Sequence, residues 1–197
     1  MSSKNPRLNF TYSYVYDQTF AALSGNKYFE GTNKAAKSYM KALEKEFSRF
    51  SGKVLAGIPR VSGLRWQKPY IDVYISKYAP SSFSVPLTIR MYKNAKVGNS
   101  MLVHELVHNI VFQNEKRIMY AKLFKDFRSE GVMTKYHIIE GAILYLLNRG
   151  IFSDGLAGFF EYDNWASPKA DEAYRHAISI VLKHGAEKII KSYISKG

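Results

Sequence analysis

The chain contains no cysteine. That rules out disulfides and removes thiolates from any metal site, so a bound zinc must rest on His, Asp or Glu. The same absence fits a reducing, cytoplasmic setting. Long hydrophobic runs are also missing. The most apolar stretch, Ile138 to Leu147, is far too short to span a bilayer, and no apolar segment of signal-peptide type follows Met1-Ser2-Ser3-Lys4-Asn5-Pro6-Arg7. Acidic residues are scarce, 16 against 29 Lys and Arg, for a net charge of +13. No repeat, low-complexity tract or linker interrupts the 197 residues.

What is present is an aromatic-rich globular composition: 46% hydrophobic, with 15 Tyr and 12 Phe, enough to bury a sizeable core. The charge is uneven along the chain. Residues 1–100 hold 16 Lys and Arg against 5 Asp and Glu, whereas residues 101–197 hold 13 against 11. A basic first half points to acidic partners such as nucleic acid or an anionic surface, although the charges are scattered as on an ordinary solvated face.

Periodicity predicts an α+β fold, with a strand-rich part over 1–98 and a helical part over 99–197 of a single domain. Alternation from Leu8 to Tyr16 reads as a strand. Thr32 to Phe50 reads as an amphipathic backing helix, with Ala36, Tyr39, Met40, Leu43, Phe47 and Phe50 on one face and Gly52 as its stop. Strands are expected over Lys53–Ile58, Pro69–Tyr78 and Phe83–Tyr92. The last contains Pro86, which cannot donate to a ladder and so marks a sheet edge. From Asn99 the spacing is helical: Met101–Phe112, Lys116–Phe127, Thr134 (as cap) to Asn148 with Gly150 as stop, a helix capped by Ser167 with Pro168 first, and Ala186–Ile194. Phe152 to Trp165 reads as an aromatic loop.

The chemistry lies in His104-Glu105-Leu106-Val107-His108. Two imidazoles four residues apart project from one helix face and suit a single Zn²⁺, with Glu105 beside them to reach a water without ligating the metal. Burying two His and a Glu on an otherwise apolar helix is costly unless something satisfies them. The bland alternative is a pair of hydrogen-bonded core histidines with a buried ion pair. A catalytic zinc takes a third protein ligand and keeps a position for water. Metzincins are excluded by Val111 and Asn114 where they need Gly and His. The third-ligand candidate is Glu140, on a second apolar helix in Tyr136-His137-Ile138-Ile139-Glu140-Gly141-Ala142, followed by a Gly that lets helices approach. His137 is the alternative, as ligand or as a hydrogen-bond donor to substrate.

Over roughly residues 83–197 the chain resembles the gluzincins, the zinc peptidases that include thermolysin and the aminopeptidase N-like enzymes. The zinc motif and Glu140-Gly141 on a downstream helix carry the likeness. Tyr174-Arg175-His176-Ala177, running to Lys183-His184-Gly185, is similar to a late helix in aminopeptidase-like members. The resemblance implies a zincin-like domain, one Zn²⁺ held by His104, His108 and Glu140, Glu105 as general base, and Tyr174 steadying the oxyanion, with His176, Tyr162 and His184 as alternatives for that role. Substrate contacts would come from His137, Tyr162 and His176, with Phe159, Phe160 and Trp165 lining a side-chain pocket. The substrate would be a peptide or protein, laid along the edge strand around Ser84–Tyr92. No Gly-x-Met-x-Asn stretch precedes the motif, so aminopeptidase specificity is not implied. The rival reading is a basic module for nucleic acid or an anionic surface, in which any metal site is structural or vestigial.

Overall fold

A computed structural model describes residues 5–151 and 172–195. The architecture is mixed α/β and mostly helical, with a small four-stranded mixed sheet. In chain order the elements are β1 (Arg7–Thr11), α1 (Tyr14–Leu23), α2 (Gly31–Ser48), α3 (Ser51–Ser62), β2 (Tyr70–Ser76), β3 (Phe83–Ser84), β4 (Leu87–Arg90), α4 (Ala95–Gln113), α5 (Tyr120–Asp126), α6 (Val132–Ile151), α7 (Glu172–His184) and α8 (Ala186–Tyr193). Among the described residues, no helix is long and apolar enough to cross a membrane. The chain divides into two compact units, Met1–Gly52 with Lys68–Asn109, and Lys53–Gln67 with Ile110–Gly197.

The first unit is built on the sheet, in the order β1-β2-β4-β3, parallel except for the β3–β4 pair. Alternation on β2 sorts the two faces. Ile71, Val73 and Ile75 are buried on one; α2 backs this face, with Phe47 edge-on to Phe10 of β1. On the other face α1 lies across the strands: Tyr16 meets the Tyr74 ring and the Thr88 hydroxyl, and Phe20 meets Phe83. Asp17 of α1, fully buried, ties this layer together. Its Oδ1 accepts from Ser76 Oγ (2.6 Å) and from the backbone N–H groups of Lys77 (2.9 Å) and Tyr78 (3.0 Å), and Oδ2 accepts from the Tyr12 hydroxyl at 3.2 Å.

Three expectations fail in this unit for local reasons. The strand from Leu8 stops at Thr11 instead of Tyr16, because Ser13 caps α1 by accepting from the Tyr16 N–H. Gly52 does not end α2, which stops at Ser48, and lies inside α3. The strand expected over Phe83–Tyr92 is a hairpin folded at Val85-Pro86, a cis peptide bond. Pro86 sits in the turn where no ladder donor is needed. β4 is therefore an inner strand, and only the two-residue β3 forms that edge.

The second unit is helical. Lys53–Ile58, expected as a strand, belongs to α3. Pro59 lies inside this helix and cannot donate to the Leu55 carbonyl four residues back; the Trp66 indole N–H takes that carbonyl instead, at 2.8 Å. Gly63, at φ +71°, turns the chain after the helix. α6 packs on α7 and α8. Its Gly141 leaves room for α7, since a Cβ there would sit 3.1 Å from Ile178 Cδ1. α6 begins at Val132, before the expected Thr134 cap, and runs through Gly150. The carboxyl-terminal residues are strapped down: Met119 N–H donates to the Tyr193 carbonyl, Ser195 N–H to that of Arg117, and the Arg117 guanidinium to those of Ser195 and Gly63. The loop over 152–165 and the Ser167 cap lie outside the described residues.

The units do not reproduce the charge split of the sequence halves. The first holds 13 Lys and Arg against 6 acids, the second 16 against 10.

Candidate metal centre

α4 carries His104, Glu105 and His108, and the first unit braces the helix on both sides of the motif. On the amino-terminal side, Gly98 packs against α2 so closely that a Cβ would overlap the Tyr39 hydroxyl and lie 2.8 Å from Leu43 Cδ1. Asn99 Nδ2 donates to the Leu43 carbonyl at 3.2 Å. One residue past His108, Asn109 Nδ2 donates to the Ser84 carbonyl of β3 at 2.9 Å. The sequence reading passed over these contacts. Gly98 and two Asn on a helix otherwise rich in apolar residues were the available signal.

The two imidazoles converge. His104 Nε2 and His108 Nε2 are 3.0 Å apart, with ring centroids at 4.6 Å. His104 is buried and His108 half-buried. Two nitrogens each about 2.0–2.1 Å from a tetrahedral zinc stand roughly 3.3 Å from each other, so this pair fits one zinc with little adjustment. Glu105 is buried, with Oε1 4.0 Å from His104 Nε2. That is too far to share the imidazoles' focus and near enough to act on a water beside it. Burial pushes its carboxyl up to about 7, the positive influence of His108 pulling the other way. Tyr92 also belongs to this environment. Burial raises its phenol, its bond to Ser82 opposes that rise, and the charge of Glu105 adds to it.

The second unit holds the remaining candidates. His137 and Glu140 are buried on α6. His137 Nδ1 is 2.6 Å from the Met133 carbonyl; a carbonyl only accepts, so Nδ1 carries a proton, and in the neutral ring Nε2 is the atom that would ligate a metal. The Tyr174 ring packs edge-on against His137, centroids 4.1 Å apart. Glu140 makes itself felt at Tyr120, whose phenol is raised by burial first and by that carboxylate second. His176 is turned to Glu130, Nε2 to Oε2 3.2 Å, with half of its side chain exposed. Tyr162, Phe159, Phe160 and Trp165 lie outside the described residues.

Comparison with family models, curated proteins and solved structures returned no match for this chain.

Proposed function

We propose that the chain is a zinc-dependent peptidase of zincin-like type, with His104 and His108 as two ligands and the third supplied by α6. The observation that carries this reading is the 3.0 Å convergence of the two Nε2 atoms beside a buried Glu105 whose carboxyl is raised by that burial. Glu140 is the third ligand implied by the gluzincin resemblance. His137 is its competitor, with Nδ1 donating to the Met133 carbonyl and Nε2 as the atom that would ligate. When bound, zinc lowers the pKa of a coordinated water to about 7 and polarises a carbonyl. Glu105 would take the proton from the attacking water and hand it to the leaving amine. Tyr174, braced by His137, supplies a phenol to the oxyanion. A peptide or protein is the substrate class, and a reducing compartment such as the cytoplasm suits a chain without cysteine.

The test is elemental analysis of protein purified without added metal, joined to hydrolysis of a mixed peptide library. About one zinc per chain in wild type, lost in His104→Ala, supports the site. Glu105→Gln should keep zinc and lose at least about 100-fold in hydrolysis. Comparing zinc content in Glu140→Ala and His137→Ala identifies the third ligand. A wild-type chain that takes up no zinc even when it is offered refutes the reading.

A further inference from the structure

The basic residues of the first hundred positions are scattered in the sequence. Within the first unit the fold sets an aromatic beside one of them. Phe29, just ahead of α2, leaves 63% of its surface in water. One face of this ring is thus open to a partner that can stack on it. Lys77, from the loop after β2, holds Nζ 5.9 Å from the centroid of the Phe29 ring and 5.4 Å from that of Tyr78. Phe29 stands two residues ahead of α2, along whose exposed side Lys34, Lys37 and Lys41 line a groove with a volume of about 560 Å³ in which Glu30 is the acid of the set. Lys34 and Lys41 stand seven residues apart on the helix, roughly 10 Å along its axis.

The platform is fixed from beneath. Asp17 holds the Lys77 and Tyr78 N–H groups, and the Tyr78 hydroxyl donates to the Lys27 carbonyl at 3.2 Å. The segments bearing Lys77 and Phe29 are thus joined to one buried carboxylate. An exposed ring beside the Lys77 ammonium, with the lysine row on the helix that follows it in the chain, provides what a single strand needs: a face for an unpaired base and cations for its phosphates. A duplex hides its base faces and would use only the cations.

We infer that Phe29, Lys77 and the Lys34–Lys37–Lys41 row form a docking surface for single-stranded nucleic acid, with one base stacked on Phe29. This surface does not depend on the zinc reading.

The experiment is fluorescence anisotropy of a labelled oligo-thymidine of about 15 nucleotides with the full chain, between about 50 and about 200 mM KCl. Four lysines on four phosphates give a slope of log K against log salt of about −2.8, so wild-type affinity should fall roughly 50-fold across that range. K34Q/K37Q/K41Q should flatten the slope to about −0.7, a fall of about threefold. F29A should weaken binding at least about fivefold at every salt concentration and leave the slope unchanged. These residues are exposed, and circular dichroism checks that the variants fold. No binding at the lowest salt, or wild-type affinity in both variants, overturns the inference. So does a loss in the lysine variant with none in F29A, or equal affinity for duplex, since either marks a plain counterion surface. Binding to phosphatidylserine vesicles in place of the oligonucleotide overturns it in favour of a lipid surface.

Discussion

Replacing Asp17 by alanine should destabilise the first unit more than any other single truncation of a polar side chain in its sheet layer. The carboxylate is fully buried and accepts from one hydroxyl and two backbone N–H groups at Oδ1 and from Tyr12 at Oδ2. Hydrogen bonds to a charged group contribute about 1.5–3 kcal/mol each, but those sharing one oxygen are not additive. Removing the acceptor leaves the part-buried Lys77 and Tyr78 N–H groups and the buried Ser76 hydroxyl without it, at about 1–3 kcal/mol for each donor left unpaired and roughly 2–5 kcal/mol together, which in a chain of this size lowers the melting temperature by roughly 4–20 °C. The Asp17→Asn variant would keep an oxygen for Ser76, Lys77 and Tyr78 and turn an amide N–H toward the Tyr12 hydroxyl, losing only charge assistance, roughly 1–2 kcal/mol. Urea titrations of wild type, Asp17→Ala and Asp17→Asn, followed by far-ultraviolet circular dichroism, separate the two if the slope stays constant. An alanine cost below about 1 kcal/mol, or equal costs for both variants, refutes the hub.

Helix α4, which carries His104, Glu105 and His108, offers further predictions. In protein without bound metal the folded state holds the Glu105 proton up to about pH 7, against an ordinary 4.5. This contribution to stability is complete below pH 4.5 and is lost as pH rises through 7, about 3 kcal/mol in all. Wild type should lose that much more than Glu105→Gln in urea titrations across the interval; parallel profiles would discount the burial of the carboxyl. Gly98→Ala should cost about 1–3 kcal/mol by overpacking against Tyr39 and Leu43, read as a drop in melting temperature, and a neutral result would argue against close packing of α4 on α2. Asn109→Ala should lower zinc affinity, measured by chelator competition, by releasing β3 from the helix that carries His108; unchanged affinity would make that tie dispensable.

The sequence was most legible where one periodicity dominates. The backing helix emerged within two residues of its ends, because Ala36, Leu43 and Phe47 keep helical spacing and are buried. The motif on α4 was legible because its spacing is itself the chemistry: residues four apart place two imidazoles on one face. Errors arose where a single residue overrules a pattern. Ser13 turns an alternating run into a helix start, and Pro86 makes a turn of what reads as one strand. Lys53–Ile58 is too short for its apolar content to separate strand from helix. The Phe29 surface was invisible because Lys77 reaches it only through the fold, 48 residues away in sequence.

The carbonyl of Leu55 carries an evolutionary consequence. Pro59 denies it a helical partner and Trp66 supplies one from outside the helix. A lineage that replaces Pro59 regains a backbone donor four residues on, and the indole N–H becomes redundant. A lineage that loses Trp66 first leaves a carbonyl stranded unless the proline goes too. The two positions should therefore change together among descendants of this sequence, Trp66 persisting where Pro59 persists and drifting to Phe or Leu where it does not.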